Sequence, residues 1–368
     1  MKWSCCLDLN TKRDILYLKR FSRWKFIISI LAVVLILTIL ISTNVGFTQI
    51  PFQTVFKVLV NSFFGGSEIQ LFPDIPKVEE TIVAQIRLPR IIAGVLVGAA
   101  LSGSGITLQA IFRNPMADPY VLGISAGAAV GGVSAIVLGV GSGLFGPNAI
   151  SILAWTGALM ASFLVYYVAR VGGRTPVMSL LLSGISVSIF LFAVVTLLIV
   201  ISNPFTSELQ ALIFWLLGSV ANTAWREVWV AFLPIVVGLA LMIVYSRQLN
   251  VMLLGDEEAE HLGIETEKLK KRLIVAASIV TASAVALGGI IGFVGLMIPH
   301  IMRALVGPDH RVLIPSSIMA GAIYLVSFDA LARVVYGPAE FPVGVLTALA
   351  GGPFFIYLLY KKKGSYAL

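Results

Sequence analysis

The sequence is poor in charge: only 12% of its 368 residues are Asp, Glu, Lys or Arg, against roughly 25% in a soluble globular chain. That scarcity excludes a cytosolic enzyme, a secreted scaffold and a disordered chain. It has two cysteines, Cys5 and Cys6, side by side near the N-terminus, so no disulfide framework can be built from them. They precede every apolar run, the wrong place for a lipoprotein cleavage site. No Gly-x-x-x-x-Gly-Lys-[Ser/Thr] phosphate loop occurs, and no His-Glu-x-x-His or Cys-x-x-Cys metal motif. Of the three histidines, His300 follows Pro299 in an apolar run and His310 sits in a loop. Neither has metal-site company, and no metal is expected.

What is present is apolar. Hydrophobic residues make up 58% of the chain and the mean hydropathy is +0.97. They come in runs near the roughly 20 residues that cross a hydrocarbon core as a helix. Ten such spans are predicted: 26–43, 88–112, 120–140, 149–168, 177–201, 228–245, 273–289, 293–305, 316–335 and 343–360. The eighth is short, and Pro299 with Gly288, Gly289, Gly292 and Gly295 predicts a broken helix there, backbone that membranes tolerate only under cover of protein or a water-filled cavity. Phe52–Phe64 is predicted as a short surface helix, and Glu208–Gly218 as a short helix dipping into one face.

The net charge of +8 invites a nucleic-acid reading, but the basic residues lie between apolar runs, where they orient a membrane protein. With a cytoplasmic N-terminus, the inner segments hold 20 of the 26 Lys and Arg. Ten spans then place both termini in the cytoplasm. The layout is a basic segment 1–25, one membrane domain 26–360 with an outer loop 44–86 and an inner loop 250–272, and a tail 361–368. The first span lacks a small-residue cleavage site and reads as an anchor.

Four constellations stand out. Gly94, Gly98, Ser102 and Gly105 form a small-residue face on the second span; a packing seam is the first reading, with a pathway wall along Ser102, Ser104, Thr107 and Gln109 as the functional one. On the outer side, Arg87-Leu-Pro-Arg90 places two guanidiniums on adjacent turns. Cations at a helix start oppose its dipole, so pairing with carboxylates is the more natural use. Arg333 lies near another outer end, with Asp329 one turn away as an i,i+4 partner. On the inner side, Asp256, Glu257, Glu258 and Glu260 fall within five positions between Gly255 and Gly263. They predict a short helix with acids outward, Ala259 and Leu262 on another face, Asp256 as cap, and Lys268–Arg272 at the membrane surface. Finally, Pro115 and Pro119 force a sharp turn after the second span, where Asn114 can bond backbone groups.

Together these residues resemble the FecCD family of ABC-importer permeases, which carry iron–siderophore complexes, haem and vitamin B12. The matching runs are Arg87-Leu-Pro-Arg90, Gly98–Gly103 with Gln109-Ala110, Asn114–Pro119, Leu122–Gly127, Leu254-Gly255 with Leu262-Gly263, Gly292–His300, Gly307–Arg311, and Glu340–Gly344 with Gly351. The resemblance implies an all-α membrane protein of ten helices with type II ABC-importer architecture. It implies work as a pair, as a homodimer, with two ATPase subunits below that carry ATP and Mg, and an extracytoplasmic binding protein above. The chain itself would bind no cofactor and catalyse no reaction.

By the same resemblance, Arg87, Arg90 and Arg333 would meet acids of the binding protein. Gly255, Asp256, Glu257, Glu260, His261 and Gly263 would form a coupling helix on the ATPase. Asn114 and Met116 would form an inner constriction. Some vitamin B12 permeases carry small hydroxyl residues before span five; Val177 and Met178 stand there here, so that gate is not carried over. The expected cargo is an iron(III)–siderophore or related metal chelate, with cobalamin or haem as the alternative. A gradient-driven secondary transporter would need ionisable residues at mid-membrane, which the spans almost entirely lack.

Overall fold

The computed structural model describes residues 4–46, 48–64, 72, 74–138, 149–201, 213–335 and 341–363. The described residues are helical throughout apart from turns and an isolated bridge between Val171 and Arg174. Helix α1 runs Ser4–Asn44 and α2 runs Phe52–Phe64, the surface helix predicted. Then follow α3 (Lys77–Thr81), a π-helical stretch Ile82–Arg87, and α4 (Leu88–Ile111). After a 3-10 turn Pro119–Leu122 come α5 (Ile124–Val137), α6 (Ala149–Ala169), α7 (Val177–Ile201) and α8 (Trp225–Val244). The inner segment holds α9 (Ser246–Met252) and α10 (Asp256–His261). The chain ends with α11 (Thr266–Gly288), α12 (Val294–Val306), α13 (His310–Val335) and α14 (Val343–Lys363).

Among the described residues eight helical stretches are long and apolar enough to cross a membrane, and α5 and α12 are shorter apolar helices. The eighth segment is short as expected, but it is not broken at Pro299: α12 runs uninterrupted from Val294 to Val306, and the interruption lies before it. Between α11 and α12 the backbone leaves the helix, with Gly289 and Phe293 at positive φ, and α12 starts only at Val294. Of the predicted helix Glu208–Gly218, residues 208–212 lie outside the described residues, as do Glu340 and the end of the third span; residues 213–216 are helical.

The outer loop differs from expectation. Helix does not begin at Leu88: it begins at Lys77 and runs continuously to Ile111. Pro89 lacks an amide and would crowd the carbonyl four residues back. The π-helical turn immediately before it widens the spiral, and the Leu88 amide bonds the Val83 carbonyl five residues back.

Helix α4 is the centre of the bundle, buried along nearly its whole length against α13, α11, α12 and α8. Its glycines explain how. A Cβ on Gly105 would lie 1.9 Å from the Gly295 carbonyl oxygen, so only glycine lets α12 approach this closely. Where lipid supplies no hydrophobic drive, such contact is what holds helices together. By contrast α7 buries only Leu180, Ser183, Gly184 and Val195.

Candidate functional site

The outer arginines are not exposed. Arg87, Arg90 and Arg333 are 5%, 4% and 5% exposed, and Asp329 is 2%. Arg90 donates from Nε and Nη2 to the Asp329 carboxylate at 2.9–3.0 Å. Arg333 Nη2 reaches Asp329 Oδ2, which Arg90 Nε also contacts, at 3.1 Å, the i,i+4 partnership its spacing predicts. The remaining donors grip the end of α1. Arg333 bonds the carbonyls of Ser42 and Val45 at 3.0 and 2.8 Å, and Arg87 those of Thr43 and Thr48 at 2.9 and 2.5 Å.

The Ser42 and Thr43 carbonyls belong to the group left without partners where a helix ends, and cations there suit the dipole; Val45 and Thr48 lie just beyond it. The three arginines expected to meet a binding protein are thus held within the bundle by ion pairs and backbone bonds. Arg87 and Arg90 lie inside a continuous helix, away from its N-terminus, and serve as a clamp joining α1, α4 and α13.

The small-residue face of α4 is a seam. Ser102, Thr107 and Gln109 are 0%, 0% and 2% exposed. Thr107 donates to the Gly103 carbonyl at 2.8 Å, and Gln109 accepts from Arg303 at 3.1 Å. The Ser102 hydroxyl lies against Gly321. These side chains are enclosed by neighbouring helices, as a packing seam requires.

On the inner side α10 lies where the acidic run predicts it, but its side chains divide differently. Gly255 is the cap, at φ +134, a conformation that side chains other than glycine's strain to adopt. Asp256 is the first helical residue and caps nothing. It instead accepts from Arg113 at 2.8 Å and from Lys270 at 2.5 Å. Ala259 is fully buried, while Leu262 is exposed together with Leu254, so the two apolar residues do not share a face. Glu260 accepts from the Thr266 hydroxyl at 2.7 Å. Glu257, Glu258, His261 and Gly263 are open to solvent.

The basic run also departs from expectation. Lys268, Lys271 and Arg272 are exposed, but Lys270 is 1% exposed. It pairs with Glu267 at 3.2 Å as well as with Asp256. Glu267 in turn accepts from the Thr175 amide and hydroxyl at 3.0 and 2.6 Å. Sequence reasoning passed over Lys270 and Thr175. For Lys270 a signal existed: it shares an apolar face with Leu269, Leu273 and Ile274.

The turn after α4 is tight, as the prolines require. Asn114 accepts from the Met116 amide at 2.9 Å, and Met116 is exposed. Asp118 accepts from the Tyr120 amide at 2.8 Å. Burial pushes its carboxyl up to about 6, against the lowering effect of that bond. Near the start of α13, Asp309 accepts from Arg311 through both carboxylate oxygens and from Asn250. Arg311 stacks over Trp24 of α1 at 5.0 Å. His310 is buried beside Asn250, and His300 lies edge-on to Phe354 and Phe355.

The arrangement offers charged clamps at the two faces of an apolar helical bundle and an acidic helix projecting from one of them. The FecCD transport family model matches residues 34–361. A cobalamin import system permease protein of Halobacterium salinarum is 46% identical over 78% of this chain and 76% of its own length. A hemin transport system permease protein of Yersinia pestis is 35% identical over 92% and 96% respectively. A solved metal-chelate type ABC transporter in an inward-facing conformation superposes with a TM-score of 0.77 at 33% identity, covering 92% of this chain and 99% of that one. The chain is a multi-pass permease of the cytoplasmic membrane and belongs to the FecCD transport family.

Proposed function

We propose that this permease imports a metal chelate by ATP-driven alternating access, crossing the membrane ten times with both termini in the cytoplasm. The observation that carries the reading is α10. It is a short helix locked to the bundle through Asp256 and Ala259, while Glu257, Glu258, His261 and the exposed Leu254 and Leu262 face outward. Exposed leucines ringed by acids suit a protein groove better than lipid or water. Their partner in this reading is an ATPase subunit, one for each of two permease copies, which binds the ATP and Mg that this chain does not. The second copy packs on α7, whose exposed residues Met178, Leu182, Ile185 and Ile189 form one stripe and Phe190, Leu197 and Ile201 another. One stripe suits lipid and the other a protomer.

A binding protein delivers cargo at the outer rim, whose shape the arginine clamp maintains. Closure of the ATPase pair moves α10, and the cavity between protomers alternates between outward and inward opening. Asn114 and Met116 narrow its inner end. Cargo leaves because it no longer fits, with no chemistry done on it.

For the cargo, iron(III)–siderophore is the first reading, and the cobalamin permease at 46% identity favours cobalamin as the second. Uptake of labelled ferric siderophore, haem and cobalamin by cells carrying the permease with its partner subunits separates them. Competition among all three by a cargo outside the metal chelates would overturn the class.

A further inference from the structure

Arg113, Asp256, Lys270, Glu267 and Thr175 form an unbroken polar chain across the inner face. Its links are 2.8, 2.5 and 3.2 Å between charged groups, closing on the Thr175 hydroxyl at 2.6 Å. It joins three segments that are far apart in sequence. Arg113 starts the turn that carries Asn114 and Met116; Asp256 opens α10; Thr175 precedes Pro176 and the first turn of α7. Lys270 sits at the centre, 2% exposed at its side chain, while Arg113, Asp256 and Glu267 are 37%, 33% and 30% exposed.

Two features make this more than a surface ion cluster. Surface pairs contribute little because water competes with them, but a buried ammonium has no alternative partner and holds both its carboxylates. In addition, α10 is six residues long and buries only Ala259, so few apolar contacts are available to transmit its movement. Its polar bonds must carry it. Arg113 itself stands at φ +48, a region that non-glycine residues occupy only when their surroundings hold them there. Its bond to Asp256 is such a hold.

The geometry points to Lys270 as the hub of a linkage that carries displacement of α10 simultaneously to the Arg113–Met116 turn and to the head of α7. This rests on the ATP-driven import reading above and deepens it. Lys270 is a positioning residue: it touches no cargo and acts through Asp256 and Glu267.

The test uses the permease with its ATPase and binding protein in proteoliposomes, with ATP hydrolysis and cargo uptake measured in parallel. Arg113→Gln, Glu267→Gln and Lys270→Met are expected to retain hydrolysis within about twofold while uptake falls about tenfold, so that ATP consumed per cargo rises. Lys270→Arg is expected to restore part of the uptake. If Lys270→Met does not assemble, Arg113→Gln and Glu267→Gln decide the matter, because they alter partly exposed ends of the chain of bonds. Uptake equal to the parent in both, or uptake and hydrolysis falling in proportion, overturns the linkage. A parent complex without ATP-dependent uptake overturns the import reading and the linkage together, whereas an active parent with unaltered variants removes the linkage alone.

Discussion

Arg90 and Asp329 lie 239 residues apart in sequence and meet as a buried bidentate pair, with Nε and Nη2 of the arginine on the carboxylate at 2.9–3.0 Å. Arg333 completes a triad with one acid between two bases. Both arginines are more than nine-tenths buried, and removing one member of such a group leaves an uncompensated charge at a cost of about 3–5 kcal/mol. Asp329→Asn is therefore expected to lower the thermal unfolding temperature of the purified permease by many degrees and to reduce its yield in membranes. Unfolding at the parental temperature would show that the triad contributes nothing to the clamp.

The seam along α4 makes a sharper steric prediction. Gly105→Ala would place a methyl 1.9 Å from a backbone oxygen, whereas Gly352 has nothing within 4 Å. Overpacking costs typically about 1–3 kcal/mol, and backbone atoms cannot step aside as side chains do. Gly105→Ala should lower stability measurably in a thermal melt and Gly352→Ala should not. Equal melts for the two would contradict the packing described.

The exposed face of α10 predicts where the ATPase holds on. Leu262→Asp removes an exposed apolar anchor and Glu257→Lys reverses a charge, and neither side chain is buried. Each should weaken co-purification of the ATPase subunit about tenfold, equivalent to about 1.4 kcal/mol, with permease yield unchanged. Undiminished co-purification by both variants would place the contact elsewhere.

Asp118 predicts a pH dependence. Burial raises its carboxyl to about 6 from an ordinary 3.8, so the folded protein binds that proton more tightly than the unfolded chain. Linkage then makes folded stability highest below the unfolded value, falling as pH rises through the folded one and level above it. Asp118→Asn keeps an oxygen for the Tyr120 amide and removes the titration. Melts of the parent between pH 4 and 7 should show a decline that the variant lacks; parallel curves would remove Asp118 as its source.

Much of this fold is legible in the sequence because the bilayer imposes a simple rule. Apolar runs of helical length mark the crossings, and the boundaries of α2 can be read directly. That the helix running into α4 starts as early as Lys77 is not legible, because Lys77, Glu79 and Glu80 look like loop and Pro89 like a helix start. The π turn that reconciles proline with helix leaves no pattern in side-chain type. Residue types at the site are legible as well, but not their partners. A buried Arg90–Asp329 pair and an exposed docking arginine read identically in one sequence, since burial depends on a helix 239 positions away. Lys270 is the instructive middle case: its apolar face is visible in the sequence, but the three neighbouring charges of its run, Lys268, Lys271 and Arg272, mask it.

ATP-driven import is tested most directly by uptake into proteoliposomes containing two copies of this permease, its ATPase subunits and its binding protein. The expected result is accumulation of a metal chelate that requires ATP hydrolysis and the binding protein, and that is indifferent to proton or sodium gradients. Accumulation driven by such a gradient without ATP would contradict it.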